Sequence, residues 1–324
     1  MCTAIHYKNN GAYFGRNLDL EYHYNETITV TPRNFDYKFK APLKSEEKFA
    51  VIGMATVVDK YPLYYDAMNE KGLAMAGLNF PGNSFYNEKS SELLNVSPFE
   101  LIPFILTQCA DTESAVKLLQ RINIEDRKFS DKYPLTPLHW MIADKQSSIT
   151  VEPLKDGIKI YKNDIGVLTN NPPFDFHVNN LCNYMHLSPK AAENNFDVQL
   201  TPYSKGLGAF GLPGDGSSAS RFVRAAFFKQ NAVCDGSKHS EINQFFHIMG
   251  TVKQLNGAVD VGNGQYHITI YTSCCDLNEG IYYYKTYENS CVNGVDMFSE
   301  NLDETEIISY PILIEESFNI QNRK

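Results

Sequence analysis

No run of apolar residues approaches the ~20 that a membrane-crossing helix needs. The opening also lacks a long hydrophobic stretch of the secretory kind, since residues 2–7 give way at once to Lys8-Asn9-Asn10-Gly11. The expectation is a cytoplasmic protein with no membrane partner. Basic charge is scarce as well: a net charge of −9 leaves no surplus to neutralise phosphates, which argues against nucleic acid as a partner. Cysteine occurs seven times (Cys2, Cys109, Cys182, Cys234, Cys274, Cys275, Cys291), an odd set with no C-x-x-C pair, so neither a zinc knuckle nor a redox dithiol is indicated. The adjacent Cys274 and Cys275 read as buried apolar residues. There is no H-E-x-x-H, and the eight histidines are scattered, so no metal and no other cofactor is expected. The glycine-rich tract 206–214 lacks the G-K-[ST] of a phosphate loop, and Ser217, Ser218 and Ser220 do not form a G-x-S-x-G elbow. No repeat, low-complexity tract or linker divides the chain, which points to one domain over residues 1–324.

What is present is strand-rich. One tryptophan stands against 20 tyrosines and 20 phenylalanines, a balance that suits β-structure and apolar pocket walls. Residues 3–7 and 12–17 read as strands about a turn at 8–11. Residues 64–68 and 73–79 form a second hairpin around Asn69-Glu70-Lys71-Gly72, with glycine where φ is positive. Further strands are expected at 27–31, 49–56, 138–143, 148–152, 157–161, 166–169, 266–275, 280–287, 292–297 and 307–313. Residues 81–95 read as a loop. Ser97-Pro98-Phe99-Glu100 is a helix start, with Ser as cap, Pro first and Glu three after the cap, and the helix is expected to reach 108. Asp111 caps a second helix. Helical content is also expected at 173–185, 220–230 and 240–252. Antiparallel hairpins with helices inserted in pairs favour α+β layers over a parallel sheet.

The chemistry concentrates at the start. Cys2 follows the initiator methionine, and removal of Met1 would leave a thiol beside a free α-amine, a base of pKa about 7.7–8.0. Nucleophile and general base would then share one residue. The opening hairpin returns Arg16 and Asp19 alongside it, a guanidinium that favours a thiolate and a carboxylate able to hold an amine. A non-enzymatic binding domain would need no such cluster.

The residues resemble the choloylglycine hydrolases, the family of bile salt hydrolases and penicillin V acylases. The resemblance rests on Met1-Cys2-Thr3, Gly15-Arg16-Asn17-x-Asp19, Met68-Asn69-Glu70-Lys71-Gly72-Leu73, Ala76-Gly77-Leu78-Asn79-Phe80, Leu138-His139-Trp140, Gly166-Val167-Leu168-Thr169-Asn170, Gly211-Leu212-Pro213-Gly214-Asp215 and Ser220-Arg221-Phe222, in order along the chain. It implies the N-terminal-nucleophile αββα four-layer sandwich, two antiparallel sheets between helix layers. It also implies a catalytic set of Cys2, Arg16, Asp19, Asn79, Asn170 and Arg221 with Met1 removed. In that scheme the Cys2 α-amine is oriented by Asp19, Arg16 holds the thiolate, Asn79 and Asn170 donate to the oxyanion, and Arg221 supports the network. Asn79 resembles the bile salt hydrolase pattern, which implies cleavage of glycine- or taurine-conjugated bile salts by a homotetramer. The same machinery acting on penicillin V or an acyl-homoserine lactone is the alternative, and a binding homologue that keeps Met1 is a third reading. Proximity to the catalytic motifs nominates Leu18, Tyr22, Tyr65 and residues of the loop near 129–135, Phe129 and Leu135 included, as substrate-binding, with Phe210 of the glycine-rich tract as a further candidate.

Overall fold

Neighbouring residues of the central strands feed different cores. Along the strand Ala74–Asn79, Ala74, Ala76 and Leu78 pack into one apolar cluster and Met75 into another; in Val51–Val58, Met54 and Ala55 divide in the same way. A strand with period two can be apolar throughout only if both its faces are covered. The computed structural model, which describes residues 1–43, 48–196 and 198–322, shows what covers them.

Among those residues two large antiparallel sheets stand face to face. The smaller has six strands in the order Val167–Leu168, Cys2–Lys8, Ala12–Leu20, Ile268–Asp276, Ile281–Thr286 and Asn293–Asp296. The larger has eight, in the order Gly157–Lys162, Ser148–Leu154, Leu138–Ala143, Ala74–Asn79, Tyr61–Asn69, Val51–Val58, Glu26–Thr31 and Ile308–Pro311. Helices α1 (Pro98–Leu106) and α2 (Thr112–Leu119) close the larger sheet's outer face around Met75 and Trp140. α3 (Phe174–Asn180) lies at the edge, and α4 (Ser218–Gln230) and α5 (Lys238–Gly250) cover the smaller sheet. The expected α+β four-layer sandwich is the observed fold. No helix among the described residues is long and apolar enough to cross a membrane.

Local chemistry accounts for the joints. Glu100 accepts the Ser97 N–H at 3.1 Å to start α1, and Asp111 accepts the Ser114 N–H at 2.8 Å to start α2. Asn69 folds the second hairpin by accepting the N–H groups of Lys71 and Leu73, each at 3.0 Å, with Gly72 at φ +87°. Its Nδ2 donates to Leu106 O and Cys109 O, both at 2.7 Å, so this turn also anchors the end of α1.

Several expectations shift. α1 ends at Leu106 rather than 108. Within the expected loop 81–95, Leu94 and Asn95 open a three-residue strand, Leu94–Val96, that pairs in parallel with Ile122–Ile124. Runs so short carry no readable alternation. The helical content at 173–185 resolves into α3 and a tighter turn at Leu181–Tyr184. Cys274 and Cys275 are both fully buried, and burial pushes both thiols well above the ordinary range, which makes them inert.

Candidate active site

Cys2 begins the strand Cys2–Lys8, and the hairpin register sets Leu18 opposite Cys2 and Arg16 opposite Ala4. The two-residue period then sorts the neighbours by face. Arg16 and Leu18 point between the sheets. Thr3, Asn17 and Asp19 point to the helix side, where Asn17 Nδ2 donates to Met249 O of α5 at 3.0 Å and Arg221 of α4 reaches Thr3.

On the inter-sheet side Arg16 is buried and each end of its guanidinium has a task. Nη2 donates to Cys2 Sγ at 2.5 Å, while Nη1 donates to Gly77 O at 2.5 Å and Tyr65 O at 3.2 Å. Burial opposes this charge, but Cys2, Tyr271, Asp66 and Asp19 outweigh it and raise the Arg16 pKa above its ordinary value. The arginine is thus held by the larger sheet while it touches a thiol of the smaller one.

On the helix side Asn170 is the hub. Its Oδ1 accepts the Cys2 N–H at 2.8 Å and Arg221 Nη2 at 2.7 Å, and its Nδ2 donates to Asn79 O at 2.8 Å. Arg221, fully buried, also donates to Cys2 O and to Thr3 Oγ1. Burial lowers its pKa, partly offset by Asp19 and Cys2. Asp19 accepts Thr269 Oγ1 at 2.6 Å through one oxygen, and its Oδ2 has no partner among the described residues. Burial raises the Asp19 pKa against the pull of Arg221. With Met1 in place, the Cys2 nitrogen meets Asn170 and not Asp19. The Met1 amine donates to the Asp19 main-chain oxygen at 2.7 Å, and Asp19 N donates back to Met1 O at 3.0 Å.

Asn79 ends its strand on the wall of a cavity that opens above Cys2, and its side-chain amide takes no hydrogen bond from the described residues. The cavity measures about 640 Å³. Leu18, Tyr22, Tyr65, Phe129 and Leu135 line it, as the sequence suggests. Phe210 does not: it follows a short turn on the surface and is 76% exposed, so the glycine-rich tract contributes no wall at that residue. Tyr133, within the nominated loop, lines the cavity too, whereas Leu20, Leu63, Phe99, Ile102 and Leu138 also line it and were not foreseen. Leu20 could have been, because it lies two residues beyond Leu18 on one strand face.

A buried thiol in contact with a guanidinium thus stands at the floor of the cavity. A family model described as linear amide C–N hydrolases, choloylglycine hydrolase family, matches residues 2–310. The chain belongs to this family. It is 49% identical to the bile salt hydrolase/transferase of Lactiplantibacillus plantarum, over 99% of this chain and 100% of that one. It is 41% identical to a bile salt hydrolase/transferase of Clostridium perfringens, over 96% of each. Among solved structures, a mutant conjugated bile acid hydrolase from Clostridium perfringens superposes with a TM-score of 0.90 at 39% identity, covering 99% and 100% of the two chains. The penicillin V acylase of Agrobacterium tumefaciens shares the fold, with a TM-score of 0.74 at 20% identity over 97% of this chain and 94% of that one.

Proposed function

We propose that this choloylglycine hydrolase cleaves the amide of glycine- or taurine-conjugated bile salts, releasing free bile acid and the amino acid. The observation that carries the reading is the Cys2 thiol in contact with Arg16 at the floor of an apolar-walled cavity, in a chain nearly half identical to a bile salt hydrolase/transferase.

Removal of Met1 converts the Cys2 nitrogen into an α-amine that keeps the Asn170 amide as its partner, and the resemblance assigns its orientation to Asp19. The thiolate, held by Arg16, attacks the amide carbonyl carbon. Charge develops on the carbonyl oxygen, and Asn79, with a free amide on the cavity wall, is the donor for it. Loss of one such donor costs about 10²–10³ in rate. The α-ammonium passes its proton to the departing glycine or taurine nitrogen as the C–N bond breaks. Water then attacks the thioester with the α-amine as base, and the C–S bond breaks to release the acid. Arg221 holds Cys2 O, Thr3 and Asn170 in place and takes no part in proton transfer. Leu18, Tyr22, Tyr65, Phe129 and Leu135 give the sterol body an apolar wall.

The reading extends to a cytoplasmic homotetramer, supported by resemblance and by the exposed apolar side chains of Phe196, Tyr203 and Phe210. Light scattering on purified protein tests the assembly. The decisive experiment measures turnover of glycocholate, taurocholate and penicillin V by the wild type and Cys2→Ala. Bile salt turnover that vanishes in the variant is expected. Activity retained by Cys2→Ala, or confined to penicillin V, overturns the proposal.

A further inference from the structure

Thr169 and Asn170 follow the strand Val167–Leu168, whose last pair with the Cys2–Lys8 strand is Leu168 opposite Ala4. The ladder ends there, yet both residues are buried and their carbonyls need donors. Two histidines supply them. His139 Nε2 meets Thr169 O at 2.8 Å and His177 Nε2 meets Asn170 O at 2.9 Å. The rings come from different layers, His139 from a strand of the larger sheet and His177 from α3. Glu152 on the adjoining strand ties them together: its Oε1 faces His139 Nδ1 at 3.1 Å and accepts the Phe174 N–H, at the start of α3, at 2.9 Å. Each ring is stacked on a phenylalanine, His139 on Phe80 at 4.2 Å and His177 on Phe222 at 4.8 Å. Burial holds His177 down to about 4, so near neutral pH its ring is uncharged and its single proton sits on Nε2, facing the carbonyl.

We infer that His139 and His177 are positioning residues of the Cys2 site: they fix the carbonyls of Thr169 and Asn170 so that the Asn170 amide meets the Cys2 nitrogen. The hub geometry explains why this matters. One Asn170 side chain contacts Cys2 N, Arg221 and Asn79 O, so a tilt of its backbone displaces all three contacts together. Ser218 completes the grip by accepting the Asn170 N–H at 2.8 Å and donating to Thr169 Oγ1 at 2.9 Å. The inference deepens the proposed function and rests on it only where turnover is assayed.

The test separates the donor from the ring. His177→Phe keeps a flat ring against Phe222 and removes the donor, whereas His177→Gln keeps a donor and drops the ring; the same pair is made at His139 against Phe80. Readouts are kcat and KM for glycocholate, the melting temperature, and iodoacetamide alkylation of Cys2 followed by peptide mass spectrometry, which needs no substrate. The Phe variants should lose on the order of 10–10²-fold in kcat at unchanged KM. Their Cys2 alkylation should slow, and the Gln variants should recover most of both. Phe variants that match the wild type, or Gln variants no better than Phe, overturn the inference. Should the deeply buried His139 variants fail to fold, the His177 pair decides alone. Wild-type protein that alkylates at Cys2 but turns over no bile salt refutes the proposed function, and the alkylation comparison still judges the histidines.

Discussion

Arg16 and Asp19 are three residues apart, and an extended strand sends such a pair to opposite faces. From sequence, the guanidinium is expected at the Cys2 thiol and the carboxylate at its amine. In the structure the guanidinium meets the thiol, and the carboxylate lies beneath the main chain with one oxygen unpartnered. Arg16→Lys should therefore be damaging, since one ammonium cannot span Gly77 O, Tyr65 O and Cys2 Sγ at once. A loss of roughly tenfold or more is expected both in kcat and in Cys2 alkylation rate. Two other histidines set a pH window for stability. His23 is raised to about 9, first by its hydrogen bond to Glu26. Its contribution is complete below the unfolded value of about 6.5 and is lost as pH rises through 9. His6 is lowered to about 4 by burial, so the unfolded chain gains a proton near 6.5 that the native ring refuses, and stability falls as pH drops through that interval. Melting temperature should fall on both sides of neutrality. His23→Gln should flatten the alkaline side, and His6→Gln the acid side.

Elements with a clear period were legible. The strand at 138–143 and the Asp111-capped helix are where alternation and capping put them, because their signals are local. Short pairings such as Leu94–Val96 with Ile122–Ile124 depend on contacts distant in sequence and leave no such trace. The opening hairpin alone brings Arg16 and Asp19 to Cys2, whereas Asn170 and Arg221 entered through resemblance: nothing local in either announces that one buried amide and one buried guanidinium converge on Cys2. Cavity walls were legible where they continue a strand face from the catalytic motifs, as at Leu18 and Tyr65, and misread at Phe210, where a glycine-rich tract was taken for a wall. One glycine in the opening hairpin can be tested directly. A Cβ on Gly15 would stand 2.0 Å from Ser273 O on the neighbouring strand. Gly15→Ala should force the strands apart and cost about 1–3 kcal/mol in urea unfolding, with loss of activity because Arg16 is next in line.

At the scale of the molecule the two sheets are joined by more than apolar contact. Asp66 on the larger sheet accepts Tyr271 Oη at 2.5 Å and Ser273 Oγ and Tyr282 Oη at 2.8 Å, all from the smaller sheet. Burial raises its pKa, and Arg16 opposes the shift. Tyr282→Phe removes one donor to this buried carboxylate and should cost about 1.5–3 kcal/mol in urea unfolding. Because such ties cross between sheets, we propose that residues 1–324 act as one domain, and a single cooperative calorimetric transition is the expected record of it. The same integration bears on how the enzyme comes into being. Met1 is already a rung of the sheet, exchanging hydrogen bonds with Asp19, and Cys2 beside it is only 2% exposed. An aminopeptidase needs a loose chain end, and the finished sandwich does not offer one. We propose that maturation is a race on the nascent chain, with trimming of Met1 on one side and closure of the first hairpin on the other. Protein refolded with Met1 attached should resist later trimming, and the fraction of competent enzyme in a preparation should follow the speed of its synthesis rather than its stability.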